Sequence, residues 1–240
     1  MIFAHRREFL LESILDFFGE IARVLGSDAV RVAVTGNRVT PGVRSLLSGR
    51  VHAEYYSDIE RYGGGADHDA EIQEWALRSV ERDFKPEWIL HHNDDFVFED
   101  GAVEEIARAT SGDLDVILAG NRLFFDWEHY LPDVEEPWDP VLWRWRPGAH
   151  FWPLSTSFLP VDLERDAYAR GTVGRMEAKR LDFGFVGEAA LREERRISRA
   201  LGRLDPARDW VFRSPGRAVP YERKWPGWLR RSSFSACTVE

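Results

Sequence analysis

The chain has 240 residues and a mass of 27.7 kDa, enough for one ordinary domain with a buried core. A hydrophobic fraction of 44% with 30% charged residues excludes a disordered chain, and the single cysteine excludes a disulfide framework or a Cys-x-x-Cys metal site. The net charge of -9 disfavours non-specific binding to nucleic acid. No apolar run is long enough to span a membrane and no secretory signal opens the chain, so we expect a cytoplasmic protein.

The first half of the chain alternates strand-like and helical segments. Residues Glu8 to Leu25 predict an amphipathic helix, because apolar side chains recur at three- and four-residue spacings and Gly26 follows. The other predicted elements are strands at Ile2–Ala4, Val30–Val34 (stopped by Thr35-Gly36-Asn37), Val51–Tyr56, Trp88–His91 and Val116–Ala119, and helices at Val43–Leu47, Asp67–Asp83 and Gly101–Thr110. This alternation predicts an α/β fold around a mostly parallel sheet.

The composition and the predicted structure change after residue 125. Asp126 to His150 is rich in tryptophan, proline and acidic residues and predicts an ordered irregular segment, which in a compact domain is usually functional. Leu154 to Pro160 is compatible with a strand, and Gly187 to Leu201 predicts a helix. Five tryptophans form a candidate wall for a sugar or a base: Trp127, Trp138, Trp143, Trp145 and Trp152.

The end of the chain is basic. Arg192 to Arg231 carries twelve basic and five acidic residues, whereas the preceding part is strongly acidic. This basic tail leaves open an anionic partner at one end of the molecule, although the solvated face of a helix would have the same composition.

The most specific feature of the sequence is an apolar run followed directly by Asn93-Asp94-Asp95, in which two carboxylates are adjacent. In open α/β sheets, ligands bind outside the carboxyl ends of the strands. Two aspartates there would repel each other unless a cation lies between them, and carboxylate oxygens suit Mg²⁺ or Mn²⁺. His91 and His92 precede them on the strand and point to opposite faces, so we expect one to be buried and the other to approach a ligand.

The run from Trp88 to Phe98 resembles the metal-binding strand end of GT-A-fold glycosyltransferases, especially the family 2-like members. These carry an Asp-x-Asp motif after an apolar strand; Asn93-Asp94-Asp95 aligns with it, with asparagine in the first position. The resemblance implies a GT-A-like, Rossmann-type sandwich and a single domain over residues 1–240. Residues 1–125 would bind a nucleotide sugar, and residues 126–240 would bind the acceptor and end in the basic tail.

Three further segments are similar to this family in order and spacing. They are the opening strand and helix start from Ile2 to Leu10, the strand end Val32 to Asn37, and the glycine-rich loop from Gly63 to Asp67. The resemblance implies contacts to the nucleotide from Ala4, His5, Arg7, Thr35, Asn37, Asp67, Asn93 and Asp94. It also implies Mn²⁺ or Mg²⁺ as cofactor, held by Asp95 with Asp94, and His150 is a candidate third ligand.

An inverting sugar transfer needs a carboxylate that removes a proton from the attacking hydroxyl. The segment Phe185 to Leu191 is similar to the family's Glu-Asp helix start, with Ala189 in place of the aspartate, so Glu188 is the predicted base. Asp182 and Asp126 are the alternatives, and a retaining mechanism without such a base stays open.

The predicted function is therefore transfer of a sugar from a nucleotide-diphosphate donor to a hydroxyl acceptor. The acceptor can be a saccharide, a protein, a small molecule or a modified nucleic acid. The main alternative is a non-catalytic sugar- or nucleic-acid-binding module that uses the tryptophans and the basic tail. Two others are a prenyl-diphosphate enzyme, which would be all helical, and a nucleotidyltransferase, which would open with a longer glycine-rich basic loop.

Overall fold

The structure is a computed structural model that describes residues 1–4, 8–37, 39–57, 66–124, 126–132, 138–149, 161–184, 186 and 218–230. The helices are α1 Glu8–Leu25, α2 Pro41–Leu47, α3 Ala66–Phe84, α4 Ala102–Thr110 and α5 Val161–Arg170. The strands are β1 Ile2–Phe3, β2 Ala33–Asn37, β3 Ala53–Ser57, β4 Trp88–Leu90, β5 His92–Asn93, β6 Phe96–Phe98, β7 Val116–Ala119, β8 Asn121–Leu123, β9 His129–Tyr130, β10 Asp139–Arg144, β11 Val173–Arg175, β12 Arg180–Asp182 and β13 Val219–Pro220. The fold is mixed α/β, and its sheets contain parallel strands.

Two four-stranded sheets meet at the segment that contains β4 and β5. The first sheet has the order β3-β2-β1-β5 and is entirely parallel. The second has the order β11-β7-β10-β4, in which β10 is antiparallel to both of its neighbours. Across the junction, His92 N donates to Met1 O at 3.0 Å on one side and His91 N to Val141 O at 2.7 Å on the other. The backbone hydrogen bonding is thus continuous across the two sheets.

The sheet is covered on both faces. Neighbouring residues of one strand enter different hydrophobic clusters: Val34 packs in the cluster that contains α1, α2 and α4, and Ala33 packs in the cluster that contains α3 and α5. The same alternation separates Leu142 from Trp143. This period of two is what a strand buried on both faces requires.

Helix α1 has the bounds that the periodicity predicts. Its apolar stripe is buried, and Gly26 adopts a positive φ of 97° directly after the last helical residue, a conformation that glycine adopts without a steric penalty. Among the described residues, no helix is both long and apolar enough to cross a membrane.

Strand β2 differs from its prediction. It runs through Thr35, Gly36 and Asn37, which the turn propensities predict as its stop, because β2 pairs with β3 as far as Asn37 and Ser57. A Cβ at Gly36 would overlap the Ala4 carbonyl oxygen, so glycine is needed where the chain after β1 lies against β2. The strand therefore carries Asn37 to the edge of the sheet.

The segment Asp126 to His150 is also more regular than predicted, since it contains β9 and β10. β10 lies between β4 and β7 and is buried at four consecutive positions, Pro140 to Trp143, and its register shifts between Pro140 and Leu142. The predictions for Leu154–Pro160 and Gly187–Leu201 lie outside the described residues.

Candidate functional site

The carboxyl ends of four parallel strands meet at one edge of the first sheet. Phe3 is in register with both Thr35 and Asn93, and Asn37 is in register with Ser57. Ala4 follows β1 at this edge, where its N–H donates to Thr35 O at 2.8 Å. The structure therefore brings together three of the predicted nucleotide-contacting residues: Ala4, Asn37 and Asn93.

Thr35 and Asn37 differ in their surroundings. Thr35 is fully buried, and in the described part of the chain its Oγ1 has no hydrogen-bond partner. Asn37 is 4% exposed, and its Oδ1 accepts a hydrogen bond from Ser57 Oγ at 3.3 Å. Asn37 and Ser57 thus form a polar pair at the edge, while the Thr35 side chain is enclosed by protein. Ser57 was not singled out from the sequence; its register opposite Asn37 is what identifies it.

Asp94 and Asp95 form the turn between β5 and β6. Asp94 is 5% exposed, whereas Asp95 is half-buried. Strand β12 is antiparallel to β6, with Asp182 opposite Phe96, and Phe183 N donates to the Asp95 carbonyl oxygen at 2.7 Å. The pairing therefore places Asp182 beside the acidic turn, although the two aspartates are far apart in the sequence.

Gly184 lies beside both of these carboxylates. A Cβ at this position would lie 2.8 Å from Asp182 Oδ1 and 3.5 Å from Asp95 Oδ2. Asp182 is oriented by the Gly184 N–H, which donates to its Oδ1 at 2.7 Å. We call this group of three residues, Asp95, Asp182 and Gly184, the carboxylate cradle.

The donor set of the carboxylate cradle fits a hard divalent cation. Carboxylate oxygens suit Mg²⁺ and Mn²⁺, and Mg²⁺ is commonly bound by only one or two carboxylates, with substrate phosphates and water completing its shell. Within the described ranges there is no group of three or more His, Cys, Asp or Glu side chains that could hold a metal by themselves. A cation here would therefore depend on oxygen atoms that a substrate brings.

Sequence reasoning considered Asp182 only as an alternative base and did not consider Gly184. The signal that identifies them is an apolar strand residue, Leu181, followed by an aspartate and then a glycine, which is the same strand-to-acid transition as at Asp95. Asp94 stays a predicted metal ligand.

Neither histidine of the β4–β5 segment approaches the site. His91 is 4% exposed and His92 is fully buried, so the prediction that one of them faces a ligand is wrong. The His92 ring stacks on Phe96 at 4.2 Å between centroids and also contacts Phe17 and Phe98. Burial lowers the pKa of His91 well below its ordinary value, and it lowers the pKa of His92 to about 3. Both imidazoles are therefore neutral parts of the core.

The two buried histidines make stability depend on pH. In the unfolded chain a histidine binds a proton below about pH 6.5, but the folded protein keeps His92 neutral down to about pH 3, so stability is fully present above pH 6.5 and is lost as the pH falls. His92 should contribute a slope of about 1.4 kcal/mol per pH unit between about pH 6 and pH 4, and the lowered pKa of His91 acts in the same direction. His92→Phe should remove one such increment, as measured by urea unfolding across this range; an unchanged slope would show that His92 titrates normally in the folded state.

The tryptophans do not form one wall. Trp143 is fully buried and Trp145 is 8% exposed, and both belong to the core on the α3 side, so the prediction of a five-tryptophan acceptor wall is wrong for them. Trp138 is exposed, with the Arg175 guanidinium 4.9 Å from its ring centroid. Trp127 contacts Phe183, which lies between Asp182 and Gly184 in the chain, with 5.6 Å between the ring centroids. Trp152 lies outside the described residues.

Asp126 is held by its own loop. Its Oδ1 accepts hydrogen bonds from the backbone N–H groups of Glu128 and His129, both at 2.8 Å, and its carboxylate contacts His129 Nδ1. Burial raises the pKa of Asp126, but these hydrogen bonds outweigh it and the net pKa is lowered. A carboxylate with a lowered pKa is a weaker proton acceptor, so Asp126 is a poor candidate for the base.

The basic residues of the segment 218–230 pair with acidic groups of the body. Arg223 lies 3.6 Å from Glu99, and Lys224 lies 3.5 Å from Asp100. Arg230 makes two hydrogen bonds to the Asp16 carboxylate, at 2.6 and 2.8 Å. These charges are therefore partly neutralised within the molecule, which weakens the interpretation of the tail as a nucleic-acid surface.

Several predicted site residues lie outside the described residues: His5, Arg7, His150 and Glu188. Asp67 lies in the first turn of α3, and only its backbone is described.

The chain was compared with known proteins. No family model matches it, and no curated protein matches it. Among solved structures, it is similar to a putative glucose-1-phosphate thymidylyltransferase from Bacillus anthracis in complex with a sucrose, at 13% identity over 85% of this chain and 95% of that one, with a TM-score of 0.44. It is also similar to residues 1–349 of TarS from S. aureus, at 14% identity over 88% of this chain and 68% of that one, with a TM-score of 0.48. HddC from Yersinia pseudotuberculosis is similar at 12% identity over 80% of this chain and 96% of that one, with a TM-score of 0.37. At these identities and TM-scores, the likenesses carry no argument about activity.

Proposed function

We propose that this protein is a metal-dependent glycosyltransferase that uses a nucleotide-diphosphate sugar as donor. One observation supports the proposal: the Asp95 and Asp182 carboxylates both lie beside Gly184, next to the carboxyl edge of a parallel sheet. This edge is where α/β sheets bind their ligands. Paired carboxylates there serve to bind a cation together with the phosphates of a donor.

The donor's nucleoside would bind along the sheet edge, at Ala4, Asn37 and Asn93, with His5, Arg7, Thr35 and Asp67 as further proposed contacts. Asp95 and Asp182 would hold Mn²⁺ or Mg²⁺, with Asp94 and His150 as additional proposed ligands. When bound, such a cation supplies positive charge that neutralises the departing diphosphate. Asn93 brings no charge, so its proposed role is a hydrogen bond to the donor.

Glu188 stays the proposed base of an inverting transfer. The Asp182 carboxylate accepts a hydrogen bond from the Gly184 N–H within the carboxylate cradle. The Asp126 carboxylate accepts hydrogen bonds from three groups of its own loop. These contacts make both aspartates less suitable for removing a proton from an acceptor hydroxyl, and they leave Glu188 as the candidate.

The finer architecture that we propose is GT-A-like: a single domain over 1–240, with a donor half over residues 1–125 and an acceptor half over 126–240. Its support is the continuous strand order β3-β2-β1-β5/β4-β10-β7-β11, in which β10 is antiparallel to its neighbours. Asp182 comes from the second half and completes a site that the first half begins. The acceptor half would therefore also contribute to binding the cation.

The test is thermal unfolding with nucleoside diphosphates and nucleotide sugars, with and without Mn²⁺. A donor at 100 times its dissociation constant should add about 2.7 kcal/mol of stability in the presence of Mn²⁺. Asp95→Asn keeps the shape of the side chain but removes its charge, so we expect it to abolish the shift. Asp113→Asn, at an exposed aspartate of the α4–β7 loop, is the matched control and should keep the shift.

A shift that needs Mn²⁺ and is lost only in Asp95→Asn supports the proposal. If no nucleotide shifts the transition, or if Asp95→Asn behaves like Asp113→Asn, the proposal fails. The non-catalytic sugar- or nucleic-acid-binding module then becomes the better explanation.

A further inference from the structure

A cavity of about 310 Å³ lies between β8, β9 and the segment around β13. Its walls include Arg122, Tyr130, Tyr221, Glu222 and Arg223. The volume is at the lower end of the range for small-molecule pockets, roughly 300 to 1,000 Å³, so the cavity suits a small ligand. None of the roles proposed above uses these residues.

The inner wall of this cavity is rigid because it is built around Glu99. The Glu99 carboxylate accepts a hydrogen bond from Arg122 Nε at 2.8 Å, and another from the Tyr221 hydroxyl at 3.2 Å. The backbone N–H of Lys179 donates to its second oxygen at 3.2 Å. Glu99 and Arg122 are each 7% exposed, so the polar groups of the wall are held in place before any ligand arrives.

The charges around the cavity balance. Among the described residues, the guanidinium groups of Arg122 and Arg223 both lie near the Glu99 carboxylate, and Glu222 adds a second carboxylate to the lining. A phosphate or other anion would gain little from such a balanced set, because each guanidinium already faces a negative group. A purely apolar ligand would leave the polar groups without hydrogen bonds. The balance favours an uncharged ligand with many hydroxyl groups.

The aromatic side chains of the cavity narrow the ligand class further. The half-buried Tyr130 ring meets the Tyr221 ring, which is 9% exposed, at 83° with the centroids 6.2 Å apart, so Tyr130 is the aromatic side chain that a ligand can reach. Aromatic faces contact the apolar faces of sugar rings, while neighbouring charged and hydroxyl groups bind the sugar hydroxyls. Combining the Tyr130 ring with the balanced charges, we propose that the cavity is a carbohydrate-binding pocket for one or two residues of a neutral saccharide.

The carbohydrate-binding pocket shares no lining residue with the carboxylate cradle, and contacts between aromatic rings connect the two. Phe124 lies 5.4 Å from Tyr221 and 4.7 Å from Phe183, as measured between ring centroids, and Phe183 lies between Asp182 and Gly184 in the chain. Binding in the pocket requires neither a cation nor a nucleotide. The inference therefore goes beyond the proposed transfer reaction and can hold if that reaction is wrong.

The test is saturation-transfer NMR in EDTA without nucleotide, with maltotriose, cellobiose, lactose and N,N′-diacetylchitobiose as probes. At least one probe should bind, and Tyr130→Ala and Arg223→Ala should each weaken it by about tenfold or more. Tyr168→Ala, at a tyrosine of α5 that is 55% exposed, is the matched control and should bind like the wild type. If Tyr130→Ala does not fold, Arg223→Ala decides alone, since that side chain is 64% exposed and its removal should not unfold the protein.

Three results would overturn the inference. The first is that none of the four saccharides binds the wild-type protein. The second is that a saccharide binds but neither Tyr130→Ala nor Arg223→Ala weakens it, which would place the saccharide elsewhere. The third is that inorganic phosphate at millimolar concentration displaces the saccharide, which would make the cavity an anion site. Because no metal or nucleotide is present, none of these results depends on the donor-binding experiment.

Discussion

Arg122→Met should lower the free energy of unfolding by about 3 to 5 kcal/mol. The Arg122 and Glu99 side chains are 8% and 9% exposed, and Arg122 Nε lies 2.8 Å from the Glu99 carboxylate. Methionine is similar in volume but leaves this carboxylate buried without its main partner, and an uncompensated buried charge is far more costly than the net value of the pair. Urea unfolding followed by tryptophan fluorescence measures the loss.

The matched control is Arg23→Met, which removes an arginine from an exposed pair with Glu20 on α1, at 70% and 44% exposure. Exposed pairs contribute between about 0 and 1 kcal/mol, so this variant should unfold almost like the wild type. If Arg122→Met and Arg23→Met lose the same stability, then the Tyr221 hydroxyl, the Lys179 N–H and the nearby Arg223 are sufficient for Glu99, and Arg122 is dispensable.

Gly184→Ala should abolish Mn²⁺-dependent donor binding while leaving the fold intact. The added Cβ would lie 2.8 Å from Asp182 Oδ1, closer than normal contacts allow, so the carboxylate must move out of the cradle. Gly184 is not among the described glycines with positive φ, and alanine can adopt its backbone conformation. We expect at least tenfold weaker donor binding, equivalent to about 1.4 kcal/mol, and a stability change of about 1 kcal/mol or less.

Gly112→Ala is the control for this substitution. Its Cβ would lie 3.4 Å from the Arg108 carbonyl oxygen and 3.6 Å from that of Ala109, on an exposed turn away from the cradle. Titration calorimetry with the donor and Mn²⁺ compares the two variants. Full donor affinity in Gly184→Ala would show that the carboxylate cradle is not where the cation binds.

The elements that the sequence predicts well are those whose signal is local. Helix α1 follows from its apolar spacing and from Gly26, and strand β7 follows from a compact apolar run that is buried at every position. The acidic turn at Asp94 and Asp95 likewise follows from an apolar strand that ends in carboxylates. In each case neighbouring residues determine the outcome, so no knowledge of distant pairing is needed.

The elements that the sequence misses depend on distant partners. Strand β10 has a proline and a register shift, and it is a strand because β4 and β7 pair with it on either side. Helix α5 has a weak apolar pattern and was not predicted. The proximity of Asp182 to Asp95 is missed for the same reason, because the antiparallel pairing of β12 with β6 brings the two together. Propensities describe one segment at a time and cannot report such pairings.

The contacts of the segment 218–230 have a consequence for the order in which the protein folds. Trp228 Nε1 donates to the Phe98 carbonyl oxygen across 130 positions, and Arg230 N donates to Ser13 Oγ across 217 positions. Contacts over such sequence separations slow folding, because the chain must close large loops before they form. During synthesis, the side of α1 at Ser13 therefore lacks this cover until residues 228–230 have left the ribosome, even though Phe17 can already pack on Phe98. A chaperone that binds apolar helix faces would have its longest opportunity there.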